Sequence, residues 1–221
     1  ELVENSIDAG ADFITVEIKH GGKSYIRVTD NGCGIPKEEV ELAFKRHATS
    51  KISRMKDLDS IETLGFRGEA LASIAAVSRT EIITKSPEEG IGTCVVNEGG
   101  IISSVSDTGC PDGMTIVVRD LFYNTPAREK FLKKDNTESS LIIDFISKIA
   151  LAYPDIRVRL INNGNTLFTT PGRGDRFSSI ATVYDPHTAE KMIKISDTDS
   201  DILHLEGYIS PPEFTRMNRK N

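Results

Sequence analysis

Several large protein classes are disfavoured by what this 221-residue chain lacks. It has no apolar run long enough to span a bilayer and no secretory leader pattern at its start, so neither a helical membrane protein nor an exported precursor is indicated. It has no basic excess: 27 Lys and Arg stand against 33 Asp and Glu, a formal net charge of −6 with His neutral. A module devoted to coating nucleic acid would carry a basic footprint, so that class is disfavoured, while contact through a local patch stays open. Cysteine is scarce and odd in number. Cys33, Cys94 and Cys110 show no metal-type pairing, which fits a reduced intracellular protein, cytoplasmic in a bacterium or nuclear in a eukaryote. Cys33 has no His near it in sequence and reads as a small space-filling residue rather than a nucleophile. Internal repeats and low-complexity stretches are missing too. The first residue is Glu1 rather than Met, so the chain is expected to be part of a longer protein.

What is present is a mixed α+β pattern in which strands are joined as hairpins more often than by crossover helices. Residues 13–18 and 24–29 alternate around Gly21-Gly22 and predict a hairpin. Pro36 suits the first turn of a helix running through Val40, Leu42, Ala43 and Phe44. A second helix is predicted from about Gly68 through Leu71, Ile74 and Val77, then a strand at Glu81–Lys85. A hairpin at 93–97 and 101–105 follows, and a strand at Met114–Arg119. Thr137 to about Ala152 is amphipathic, with Leu141, Phe145, Ile149 and Ala152 spaced for one face. Residues 157–162 and 166–170 pair around Asn163-Gly164. The loop Pro171-Gly172-Arg173-Gly174 marks a boundary, giving a first domain over 1–172. Residues 173–221 then read as the incomplete start of a second α/β unit.

Four segments carry chemistry. The first is Glu1-Leu2-Val3-Glu4-Asn5-Ser6-Ile7-Asp8-Ala9-Gly10-Ala11, a helical stretch that stacks Glu1 and Asn5 one turn apart. A carboxylate can take a proton from an attacking water, and a carboxamide oxygen is a neutral ligand for Mg²⁺. Alone, such a pair is usually a solvated helix face. The second is Asp30-Asn31-Gly32-Cys33-Gly34-Ile35. Its ordinary reading is a turn after a strand; its functional reading is a carboxylate that reads a base, with Gly32 and Gly34 letting the backbone approach. The third spans Arg46-His47-Ala48-Thr49-Ser50-Lys51-Ile52 and Leu64-Gly65-Phe66-Arg67-Gly68-Glu69-Ala70-Leu71. The fourth is Asp120-Leu121-Phe122-Tyr123-Asn124-Thr125-Pro126-Ala127-Arg128.

Taken in order, these segments resemble the split nucleotide site of the GHKL ATPases, and in particular the amino-terminal region of the MutL mismatch-repair proteins. The resemblance implies a two-layer sandwich, a mixed and largely antiparallel sheet with helices on one face. It implies ATP and Mg²⁺ as cofactors. Glu1 would be the general base toward the attacking water and Asn5 the metal ligand. Asp30 would accept a hydrogen bond from the adenine amino group, in a pocket shaped by Gly32 and Gly34. Thr49, Ser50 and Lys51 would face the phosphates, as would the turn Gly65, Phe66, Arg67 and Gly68 that opens a helix at Glu69, Ala70 and Leu71. The segment from about 45 to 70 would be a lid, and this is not a P-loop, because no Gly-Lys-Ser/Thr ends it. One departure stands out. The family usually has Gly-Thr where this chain reads Gly113-Met114-Thr115, and strand alternation makes Thr115 an awkward substitute.

The implied partners are a mismatch-recognition protein of the MutS type, DNA, and a second copy or a paralogue in a dimer; no membrane is implied. Two further readings compete. A gyrase-type or chaperone ATPase would share the site, but the His47–Ile52 and Asp120–Arg128 strings speak against it. A non-catalytic interaction or DNA-docking module would keep a vestigial site, and intact Glu1, Asn5 and Asp30 speak against that.

Overall fold

A computed structural model describes residues 1–45, 69–197, 205–212 and 214. Eight strands join in one sheet: β1 (Phe13–Lys19), β2 (Tyr25–Asp30), β3 (Arg79–Lys85), β4 (Gly92–Glu98), β5 (Ile101–Thr108), β6 (Gly113–Arg119), β7 (Arg157–Asn162) and β8 (Asn165–Thr169). Their order is β5-β4-β3-β6-β2-β1-β7-β8. Every neighbouring pair is antiparallel except β1 with β7. A parallel join requires a crossover, and the 18-residue helix α5 (Asp135–Ala152), lying between β6 and β7 in sequence, is part of it.

Alternation along each strand sends every second residue to one face. On that face one row crosses most of the sheet through Val95, Ile82, Ile116, Val28, Val16, Leu160 and Phe168. All seven are buried. Helix α1 (Leu2–Asp8) adds Val3 to this core, and α5 adds Ile146, Ile149 and Ala150. The other face carries ion pairs, Glu17 to Arg27 at 2.7 Å and Glu81 to Arg119 at 3.1 Å. One apolar face under helices and one polar face give the two-layer α+β architecture expected. Short helices α2 (Lys37–Val40), α3 (Ala70–Ala75) and α4 (Pro126–Glu129) occupy connections.

Beyond β8 the chain forms α6 (Arg176–Val183), α7 (Pro186–Lys191), and a separate two-stranded sheet of β9 (Ile193–Asp197) and β10 (Leu205–Ile209). Helix α6 packs on α5 and β8 as well as on α7. Helix α7 was not evident from the sequence pattern. Of the four positions expected on the apolar face of α5 only Ile149 is buried. Ile146, Ile149 and Ala150 turn inward, while Leu141 and Phe145 are each 46% exposed. The helix carries two overlapping apolar stripes, and spacing alone does not choose between them.

Candidate functional site

Asp30 ends β2 on the buried face of the sheet. Its row reads Thr93, Thr84, Met114, Asp30, Ile14, Val158 across neighbouring strands. A carboxylate among apolar and hydroxyl side chains needs hydrogen bonds to stay there. Asp30 is only 6% exposed, and both of its oxygens are engaged. The Ser6 hydroxyl of α1 donates to Oδ2 at 2.7 Å, and the Gly32 N–H donates to Oδ1 at 3.0 Å. Two acceptor positions remain on the carboxylate once these bonds are made.

The loop after Asp30 is held by close backbone approach. Asn31 accepts from the N–H groups of Asp12 and Phe13 at 3.1 and 2.9 Å, which ties the loop to the start of β1. Gly32 lies against the end of α1, where a Cβ would come within 2.8 Å of Ala9, and the Cys33 N–H donates to the Ala9 carbonyl at 3.0 Å. At Gly34 a Cβ would lie 2.3 Å from the Lys85 carbonyl oxygen. Thr84 locks this arrangement: its hydroxyl accepts from the Ile35 N–H at 2.8 Å and donates to the Gly113 carbonyl at 3.0 Å. Cys33 itself is exposed, so it does not fill core space as the sequence reading had it.

Glu1 and Asn5 sit as expected on one helical turn, with the Asn5 N–H donating to the Glu1 carbonyl at 2.9 Å. The Glu1 side chain is exposed and Asn5 is half-buried. Asn5 directly precedes Ser6, so the candidate metal ligand and the partner of Asp30 are adjacent on one helix. Among the described residues no cluster of three or more His, Cys, Asp or Glu could cage a metal. Asn5 oxygen with nucleotide phosphates and water is the kind of set Mg²⁺ accepts. A buried carboxylate with acceptor positions left over likewise fits the amino group of a purine base.

Register settles the Met114 departure. Met114 pairs with Asp30 on one side and Thr84 on the other, on the buried face. Thr115 points to the opposite face, where its hydroxyl donates to Thr29 at 3.1 Å. It cannot replace a threonine at 114.

Glu69 stands at the N-cap position of α3 without a side-chain cap bond, and Ala70 and Leu71 form its first turn, all half-buried. Thr49, Ser50, Lys51, Gly65, Phe66, Arg67 and Gly68 lie outside the described residues. Sequence reasoning missed Ser6 and Thr84. The signal for Ser6 was its place three residues from Val3, a polar side chain on an inward-facing helical position.

Comparison with known proteins places the chain in a family. Residues 1–108 match a family described as histidine kinase-, DNA gyrase B- and HSP90-like ATPase. The DNA mismatch repair protein MutL of Agathobacter rectalis is 49% identical over 219 residues, 99% of this chain and 34% of its own length. MutL of Shouchella clausii is 51% identical over 220 residues, 100% of this chain and 33% of its own length. The chain thus spans about a third of the length of the curated relatives it matches. Among solved structures, the Aquifex aeolicus MutL ATPase domain complexed with ADP superposes with a TM-score of 0.71 at 31% identity, covering 89% of this chain and 69% of that one. The N-terminal domain of a DNA repair protein gives a TM-score of 0.76 at 28% identity, covering 95% and 65%.

Proposed function

The chain belongs to the MutL family of DNA mismatch repair proteins, as part of that family's ATPase region, and on this premise we propose that it binds Mg-ATP and hydrolyses it slowly as a conformational switch. The observation that carries the proposal is the buried Asp30 carboxylate, held by Ser6 and Gly32 and tied by Ser6 to the helix that Glu1 and Asn5 begin. Asp30 accepts from the adenine amino group, and a base carbonyl at that place would leave two acceptors facing each other. Asn5 gives an oxygen to Mg²⁺, which neutralises phosphate charge when bound. Glu1 orients and deprotonates the attacking water. Phosphoryl transfer asks mainly for positioning and charge neutralisation, so one placed carboxylate suffices on the water side.

The motif residues Thr49, Ser50, Lys51, Gly65, Phe66, Arg67 and Gly68 belong to this proposal on their sequence alone, as phosphate contacts in a lid. Binding energy for the closed state would shift the population toward it and favour dimerisation of the amino-terminal regions. The division at 172/173 likewise stays a proposal, with 173–221 opening a second domain. In the whole protein the partners would be a MutS-type mismatch-recognition protein and DNA, in the cytoplasm or nucleus. Among the described residues no helix is long and apolar enough to cross a membrane. DNA contact through phosphates would be weak and steeply salt-dependent, and an affinity indifferent to salt would count against it.

The direct test is calorimetric titration with a non-hydrolysable ATP analogue and Mg²⁺, beside a GTP analogue and Asp30→Asn. Binding that requires adenine and disappears in the variant is expected. Equal binding of both nucleotides, or an unaffected variant, would overturn the assignment of Asp30. Affinity without turnover in a chain extended at both ends would favour the non-catalytic reading.

A further inference from the structure

The base-reading carboxylate is not oriented by its own loop alone. Ser6 is fully buried, and its Oγ lies 2.7 Å from Asp30 Oδ2, a contact spanning 24 positions of sequence. A helical serine has an alternative, the carbonyl one turn back. Here that is Leu2, at 3.3 Å, and the shorter bond to the charged acceptor is the stronger one. We propose that Ser6 is a positioning residue for base selection, orienting the Asp30 carboxylate and tying it to the helix that carries Asn5. The inference rests on Asp30 reading the adenine amino group.

Three observations support it. The Ser6 hydroxyl occupies one lone pair of Oδ2 and leaves another to receive an N–H. The Gly32 N–H does the same at Oδ1, so among the described residues each oxygen has one donor and room for one more bond. Met114, the cross-strand neighbour on the same face, has no hydrogen-bond donor to offer. Of the two donors that hold Asp30 among the described residues, Gly32 gives its backbone N–H and Ser6 its side chain. Its removal would leave a buried charged oxygen short of a donor, without opening a cavity larger than one oxygen atom.

The test uses the full chain with Mg²⁺ and two β,γ-imido nucleotides, that of ATP and that of purine riboside triphosphate, which carries hydrogen in place of the 6-amino group. The ratio of their affinities reads the amino contact with Asp30. Ser6→Ala is expected to weaken the ATP analogue by about tenfold, the order of a hydrogen bond to a charged group. It should leave the purine riboside analogue within about twofold, on the same reasoning, so the ratio collapses. In an Asp30→Asn background Ser6→Ala should add little, because neighbours acting through one contact are not additive. Equal weakening of both nucleotides with the ratio preserved would make Ser6 merely structural and overturn the proposal. Should Ser6→Ala not fold, Ser6→Cys keeps the shape with a weaker donor, and an unchanged ratio there overturns it equally. Failure of the unaltered chain to prefer the amino-bearing analogue is a different result: it removes the reading of Asp30 itself.

Discussion

At the scale of single residues, the site depends on two neighbours with opposite demands. Gly113 has φ of +109° and its Cβ would lie 2.3 Å from the Asp30 carbonyl oxygen. No other residue fits there without moving the backbone under Asp30. Gly113→Ala should cost about 2–4 kcal/mol of stability from combined strain and overlap, read as a lower denaturation midpoint. A midpoint within error of the parent would refute the tight-approach argument. Met114 is replaceable, and in an informative direction. A threonine there puts a hydroxyl on the face of Asp30, so Met114→Thr should strengthen adenine-nucleotide binding by roughly three- to tenfold, the usual worth of one added hydrogen bond. Thr115→Val, on the other face, should leave affinity unchanged. If Thr115→Val weakens binding and Met114→Thr does not strengthen it, the register argument fails. The alternation rule already made Thr115 awkward from sequence. The role of Ser6 was harder to see, because it depends on where α1 lands against β2, and that contact is tertiary.

Elements show the same division between local and non-local information. The hairpins β1–β2, β4–β5 and β7–β8 were legible because turn glycines and alternation are written within a dozen residues. The parallel join of β1 to β7 was not, since nothing local links Phe13 with Arg157. Helix α5 was legible in length but not in orientation. Capping belongs to the local kind. Asp175 caps α6, accepting from the N–H groups of Phe177 and Ser178 and from the Ser178 hydroxyl. The Ser178 hydroxyl bond, ahead of the two backbone bonds, holds the Asp175 carboxyl below its ordinary range. A carboxyl whose folded pKa is depressed contributes stability that is present above its unfolded value, ordinarily near 4, and lost as pH falls through the folded one. The α6 amide protons should therefore exchange faster as pH drops below about 4, after correction for intrinsic rates, and Asp175→Ala should lack that step. An unchanged acid profile in the variant would show that the cap does not govern the end of α6.

For the whole molecule, the decisive point is that the site has no local existence. Asp30 comes from β2, Ser6 and Asn5 from α1, Thr84 from β3 and Gly113 from β6. These groups are brought together only when the sheet is closed in its order β3-β6-β2-β1. An unfolded chain presents none of the pocket, so a nucleotide bound there stabilises only the folded state. At a free concentration one hundred times its Kd, a ligand of this kind adds about 2.7 kcal/mol. For a chain of this size 1 kcal/mol corresponds to about 2–4 °C, so the unfolding midpoint should rise by roughly 5–10 °C with the ATP analogue and Mg²⁺. The rise should shrink when Mg²⁺ is chelated, because Asn5 then has no cation to share with the phosphates. It should vanish in Asp30→Asn. A shift of equal size in that variant would place the nucleotide elsewhere on the molecule, most simply on a cationic patch of a chain whose net charge is −6. Such binding would be lost with added salt, because exposed charges are screened over a Debye length of about 8 Å at physiological ionic strength, whereas recognition by a buried carboxylate would persist.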